Sequence, residues 1–230
     1  MSIADNLTRV RAELAEAARA AGRDPDSVTL VAVSKTWPAS DVAEALAAGQ
    51  RVFGENKVQE MLAKIPEASA GLEWHLIGHL QSNKVRKVLP VCALIHSVDS
   101  LGLARDLSRV AGELGLIARV LLQVNVASDE AKFGFPVGVV KAAFAEILTL
   151  PHLEVRGLMT VPPFDEDLER VRPQFASLRR LREELEKDHC VSLPELSMGM
   201  SHDCRIAIEE GATMVRVGSA IFGRRDYGAA

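Results

Sequence analysis

The sequence has no cysteine pair, no basic surplus, no long apolar run and no nucleotide-binding glycine motif, and each absence removes a class of function. Its three cysteines, Cys92, Cys190 and Cys204, lie far apart and form no CxxC pair, which argues against a disulfide framework or a zinc site. Acidic residues outnumber basic ones, 31 to 27, for a net charge of −4 and a pI near 5.9, so the charge signature of a nucleic-acid binder is missing. The local basic clusters, Lys84-Val85-Arg86-Lys87 and Arg179-Arg180, read as solvated helix faces. No stretch is long and apolar enough to span a bilayer, and the start, Met1-Ser2-Ile3-Ala4-Asp5-Asn6, has no basic segment followed by an apolar one. These features together predict a cytoplasmic protein. Neither GxGxxG nor GxxxxGK[ST] occurs, and no linker, low-complexity tract or repeat interrupts the chain.

What is present is a regular alternation. With 230 residues and 48% hydrophobic content, the chain is near the ~250 residues of one (β/α)₈ barrel and can fill a large core. Ile3, Leu7, Val10 and Leu14 draw an apolar stripe at helical spacing. The β-branched run Val28 to Val33 follows, with the composition of a buried parallel strand. Ser40 is placed to cap the next helix and Gly49 to end it.

The same unit recurs. Further strands are expected at Arg51–Gly54, Glu73–Ile77, Ala93–Ser97, Ile117–Val126, Val155–Val161, Glu195–Met198 and Met214–Val217, with helices between them. The longest helix is expected from about Asp165 to Lys187, with Val171, Phe175, Leu178, Leu181 and Leu185 in register. Eight strands with short helical crossovers predict an α/β fold, a single (β/α)₈ TIM barrel over residues 1–230 with an extra N-terminal helix. An open doubly wound sheet is the alternative. The chain ends soon after the eighth strand, so the helix following it is expected to be short or missing, and the N-terminal helix is placed to cover that wall.

In such a barrel chemistry gathers at the C-terminal strand ends. Lys35 closes an apolar strand. A desolvated lysine there becomes a nucleophile toward carbonyls, although a lysine snorkelling at the rim fits its position equally well. The ends of the last two strands are rich in glycine and hydroxyls: Ser201 before a helix, then Gly218 and Ser219. Barrels often hold phosphate there, though tight turns explain glycines too. Arg216 interrupts an apolar strand and faces either the barrel interior or the helices; once buried it needs an acceptor. Asn56 could orient a ligand or cap a helix. Asp203 and Glu209-Glu210 read as caps or solvated helix charges. His75 and His79 are about 13 Å apart on an extended strand at roughly 3.3 Å per residue, too far for a shared metal.

Several strings, in order, carry a resemblance over nearly the whole chain. They are Ala32-Val33-Ser34-Lys35-Thr36, Phe53-Gly54-Glu55-Asn56, Trp74-His75-Leu76-Ile77-Gly78, Leu80-Gln81-Ser82-Asn83-Lys84, Gly157-Leu158-Met159, Leu196 to Ser201, and Val215 to Gly223. The chain resembles the pyridoxal phosphate homeostasis family, also called the proline synthase co-transcribed family. The resemblance implies a fold-type III barrel related to the N-terminal domain of alanine racemase. It implies that Lys35 holds pyridoxal 5'-phosphate (PLP) as an internal aldimine, that Arg216 faces the pyridine nitrogen, that Ser201, Gly218 and Ser219 hold the phosphate, and that Asn56 sits near the ring. Ser219 stands where the family usually has threonine, and His79 where proline is common.

An arginine at the pyridine nitrogen stays charged and cannot protonate the ring. Related racemases add a tyrosine from a further domain as a second acid/base; the single tyrosine here is Tyr227. The expected function is therefore PLP binding for intracellular homeostasis, with little catalysis and with recipient apoenzymes as partners. An amino-acid racemase is the alternative, and a cofactor-free Schiff-base aldolase a further rival. A monomer is the expected state, with a dimer left open.

Overall fold

A computed structural model describes residues 2–65, 71–129 and 132–223. The chain begins with α1 (Ile3–Ala20), whose start is fixed by a capping box: Ser2 Oγ accepts from the Asp5 N–H and the Asp5 carboxylate from the Ser2 N–H. The stripe read from the sequence is its buried face, with Leu7, Val10 and Leu14 enclosed and Ala17 and Ala18 continuing it.

Eight strands form the barrel: β1 (Thr29–Val33), β2 (Val52–Glu55), β3 (Glu73–Leu76), β4 (Leu94–Val98), β5 (Ala118–Asn125), then β7 (Leu153–Met159), β8 (Glu195–Met200) and β9 (Met214–Val217). A two-residue strand, β6 (Phe135–Pro136), pairs with the end of β5. The order β4-β3-β2-β1-β9-β8-β7-β5 closes on itself through parallel pairing of β4 with β5, so the sheet is a TIM barrel and not an open sheet. Between the strands run α2 (Ala39–Ala47), α3 (Val58–Lys64), α4 (Val85–Val88), α5 (Leu101–Leu114), α6 (Val137–Thr149), α7 (Leu168–His189) and α8 (Cys204–Glu209); α9 (Ser219–Phe222) follows β9. With α9 this short, α1 covers the wall beside it. Asn6 Nδ2 donates to the Ile221 carbonyl at 2.8 Å and Arg9 Nη2 to that of Ala220 at 3.0 Å.

Three local expectations change. Ser40 does not cap α2, because Pro38 takes the cap position in an extended conformation and starts the helix earlier; Ser40 Oγ donates to Asp41 Oδ1. The long helix begins at Leu168 rather than Asp165, capped by Asp167, whose carboxylate accepts from the Glu169 N–H. Strand β7 begins at Leu153 and carries a bulge, so its register shifts between Val155 and Gly157. At Gly157 the neighbouring strand comes so close that a Cβ would stand 1.9 Å from the Glu195 carbonyl oxygen, and only glycine fits.

The large apolar core lies between sheet and helices, while a smaller set, Val31, Leu94, Leu121, Met159 and Met214, packs inside the barrel. The interior is not wholly apolar. His75, His96, Ser197 and Arg216 are buried in it as well. The three cysteines are free thiols; burial pushes that of Cys92 up to about 12 and that of Cys204 up to about 11. Among the described residues no helix is long and apolar enough to cross a membrane, and no cluster of three or more potential metal ligands forms.

Candidate active site at the C-terminal mouth of the barrel

A cavity of about 580 Å³ opens where the strands end, within the range of small-molecule sites. Lys35, Asn56, Ser201, Arg216, Gly218 and Ser219 all line it, so the six candidate residues, far apart in sequence, meet at one place. Val33, Ile77, Val161, Phe164, Met200 and His202 complete the wall.

Lys35 sits on a turn tied down on both sides. Before it, buried Ser34 donates from Oγ to Glu55 Oε1 at 2.7 Å, and its carbonyl accepts from Lys64 Nζ at 2.7 Å and from the Trp37 N–H at 3.0 Å. Lys64 Nζ also pairs with Glu55 Oε1, and both side chains are buried. After it, Thr36 adopts φ +69°, a strained conformation for a β-branched residue, and its N–H donates to Glu60 Oε2 at 2.8 Å. Strain of this kind persists only when the surroundings over-determine it, and here it fixes where the Lys35 side chain leaves the sheet.

Asn56 follows β2 and does not cap α3, whose cap position is held by Lys57. The backbone of Gly78 is pressed against it: a Cβ there would lie 2.3 Å from the Asn56 carbonyl oxygen. Across the mouth, Ser201 Oγ accepts from the Gly218 N–H at 3.4 Å and lies 3.4 Å from Ser219 Oγ, which brings two hydroxyls and a backbone donor together.

Arg216 turns inward. It is buried, donating from Nη1 to Ser197 Oγ at 2.6 Å and from Nη2 to the Thr160 carbonyl at 2.8 Å. Both acceptors are neutral, and Arg216 forms no ion pair with a carboxylate among the described residues. Burial pushes its guanidinium down to about 10, with nearby Asp203 acting the other way, so it is charged at neutral pH. Asp203 holds the cap position of α8 without capping through its side chain. It is buried, and its carboxylate accepts from the Met200 N–H at 2.5 Å. Glu209 and Glu210 are not merely solvated either; they pair with Arg172, and Glu210 also with Arg179, joining α8 to α7.

Phe164 and His202, also at the mouth, were not singled out from sequence. Phe164, largely exposed, packs its ring 4.7 Å from that of His202. His79, at the rim, pairs through Nδ1 with Asp99 Oδ2 at 2.9 Å and stacks on Phe133, while His75 points into the barrel toward His96. The two histidines part because β3 ends at Leu76 and His79 lies beyond it. Tyr227 lies outside the described residues.

With this geometry in view, the likeness to known proteins is specific. The family described as alanine racemase, N-terminal domain, matches residues 6–226. The pyridoxal phosphate homeostasis protein of Pseudomonas aeruginosa is 49% identical over 231 residues, covering 99% of this chain and 98% of that protein. The structure of PipY from Synechococcus elongatus, solved with PLP bound, superposes with a TM-score of 0.88 at 42% identity, covering 96% of this chain and all of that one. An alanine racemase from Clostridium difficile superposes with a TM-score of 0.70 at 17% identity over 87% of this chain and 53% of its own, a likeness of fold alone. Near-complete coverage at these identities means that the chain belongs to the pyridoxal phosphate homeostasis family, built on the fold of the alanine racemase N-terminal domain.

Proposed function

We propose that residues 1–230 form one domain that binds PLP at the C-terminal mouth of the barrel, with Lys35 attached covalently, and that the protein holds and releases this cofactor in the cytoplasm for recipient apoenzymes. One observation carries the reading: a single cavity presents a primary amine, a buried guanidinium bonded only to neutral acceptors, and two adjacent hydroxyls. That donor set suits a dianionic phosphate at one end and a carbonyl carbon at the other. When bound, PLP supplies an aldehyde carbon open to amines and an electron-accepting ring.

The chain's own residues then have separable tasks. Ser201, Ser219 and the Gly218 N–H hold the phosphate. Arg216 stays protonated and donates toward the pyridine nitrogen, so it supplies no proton to the ring. Asn56 lies beside the ring. The Ser34–Glu55–Lys64 cluster and the Thr36–Glu60 bond hold the Lys35 amine over the cavity. A binding protein needs no more than this. The racemase alternative has fold likeness behind it and nothing further.

The test is a visible spectrum of the purified protein before and after PLP is added. A yellow band that borohydride removes, absent in Lys35→Ala, is the expected result. A band of undiminished intensity in Lys35→Ala would sink the assignment. Transfer of PLP to an apoenzyme, followed by its regained activity, tests release, and sedimentation tests the expected monomer.

A further inference from the structure

Arg216 is one end of a line of polar side chains that crosses the barrel interior. A guanidinium only donates, so Ser197 Oγ accepts from it at 2.6 Å. Ser197 Oγ is also 2.8 Å from His96 Nδ1, and His96 Nε2 is 3.0 Å from His75 Nδ1. Ser197 and His96 have no exposed surface, and His75 is 4% exposed. No other acceptor for the Ser197 hydroxyl proton exists among the described residues. If that proton goes to His96 Nδ1, His96 carries its own on Nε2 and gives it to His75 Nδ1, which places the His75 proton on Nε2. The opposite polarity strands a buried hydroxyl proton, which costs its desolvation.

We propose that Ser197, His96 and His75 form a one-way hydrogen-bond relay that positions the Arg216 guanidinium for the cofactor, with both imidazoles neutral and protonated on Nε2. They are positioning residues: they act through Arg216 and do not line the cofactor cavity. The relay's role toward the cofactor rests on the PLP site proposed above; its polarity does not. Neutral imidazoles agree with burial, which pushes His75 down to about 4 and His96 well below its ordinary value, the latter reinforced by His75 and Arg216. A charge on His96 would stand next to that of Arg216 with no carboxylate bonded to either. The far end reaches the opposite mouth. His75 also lines a cavity of about 260 Å³ among the first residues of the strands, where the charged groups are Glu73, Glu195, Arg119 and Arg156. Nothing in the spacing of His75, His96 and Ser197 marks them as a unit, because they lie on β3, β4 and β8.

Two measurements decide this. The first is long-range ¹H–¹⁵N NMR of the imidazole nitrogens in the unsubstituted protein, with His75→Gln and His96→Gln used only for assignment. Both rings are expected neutral and Nε2-protonated at pH 7. An Nδ1–H tautomer or an imidazolium at either residue overturns the relay, whether or not PLP binds. The second is PLP affinity and the position of the visible band. Ser197→Ala and His96→Leu are expected to weaken binding roughly tenfold, the scale of one hydrogen bond to a charged group. They should also shift the band, a change that general destabilisation does not produce. His96→Gln, which keeps one acceptor and one donor, is expected to stay within about threefold of the unsubstituted protein. Folded Ser197→Ala and His96→Leu proteins with unchanged affinity and band overturn the positioning role. Failure of the unsubstituted protein to bind PLP overturns the site assignment instead and leaves the tautomers to judge the relay.

Discussion

The two mouths of the barrel are built from the same strands and handle charge in opposite ways. At the N-terminal mouth, Arg119 and Arg156 share Glu154, at 3.2 and 3.0 Å, on the protein surface. At the C-terminal mouth the guanidinium of Arg216 is buried and ends on a hydroxyl and a carbonyl. Next to it the backbone at Thr36 is strained, whereas the Glu55–Lys64 ion pair is buried behind the turn and not spent on the cavity. The N-terminal end pairs these arginines with a surface carboxylate. An end that takes an anionic ligand keeps a cation short of a counter-ion, and the fold must stabilise that arrangement from behind.

Removing that support should have the largest effect. In Lys64→Met the Glu55 carboxylate stays buried without its cation, and one of its oxygens already has no hydrogen-bond partner among the described residues. Loss of one member of a buried pair costs about 3–5 kcal/mol, read as a lower denaturant midpoint. Lys64→Met combined with Glu55→Gln should recover a large part of that loss. A single variant as stable as the parent would mean that the pair does not brace the Lys35 turn.

Acid tests the interior between the mouths. His75 is held down to about 4 from an ordinary 6.5 by burial. Between those values the unfolded chain takes up a proton that the folded chain refuses. The contribution is therefore fully present above pH 6.5 and is lost as pH falls toward 4. The change is about 3 kcal/mol, at 1.36 kcal/mol per unit. Chemical denaturation across that window should show a clearly flatter slope for His75→Gln than for the parent. Parallel slopes would mean that His75 is not buried as a neutral ring.

At the cavity itself, Ser201→Ala removes a hydroxyl that meets Ser219 and the Gly218 N–H. Titration with PLP should give a dissociation constant raised roughly tenfold, about 1.5 kcal/mol, while Ser201→Thr stays near the parent. Equal affinity for the alanine variant would move the phosphate away from these loops.

The sequence made some of this legible and hid the rest for physical reasons. The barrel could be read because each strand and helix carries its own apolar period, as with Leu7, Val10 and Leu14 in α1. Lys35 stood out as a charge closing an apolar strand and Arg216 as one inside another, and hydroxyls beside glycines marked the opposite loops. Glu55 and Lys64 were silent, since a lysine on a short helix gives no sign that it folds back under a strand. His96 left a faint trace: it alternates with inward Leu94 in β4, so period two alone puts it inside. Its partners His75 and Ser197 become visible only when the strands close. Ser40 misled because a capping residue type says nothing about a nearby proline that takes the position, and Asp203, though at the cap position, turns its carboxylate to a backbone donor before the helix.

The smallest effect belongs to the N-terminal mouth. The Arg119 side chain is 63% exposed and its partner Glu154 is 38% exposed and also held by Arg156. Solvent screens such a pair, so Arg119→Ala should change stability by no more than about 1 kcal/mol. PLP affinity should be unchanged, because no hydrogen bond runs from Arg119 to the His75–His96–Ser197 line among the described residues. If Arg119→Ala instead weakened PLP binding as much as Ser201→Ala, the two mouths would be coupled through the barrel, and the N-terminal end would be part of the binding machinery rather than independent of it.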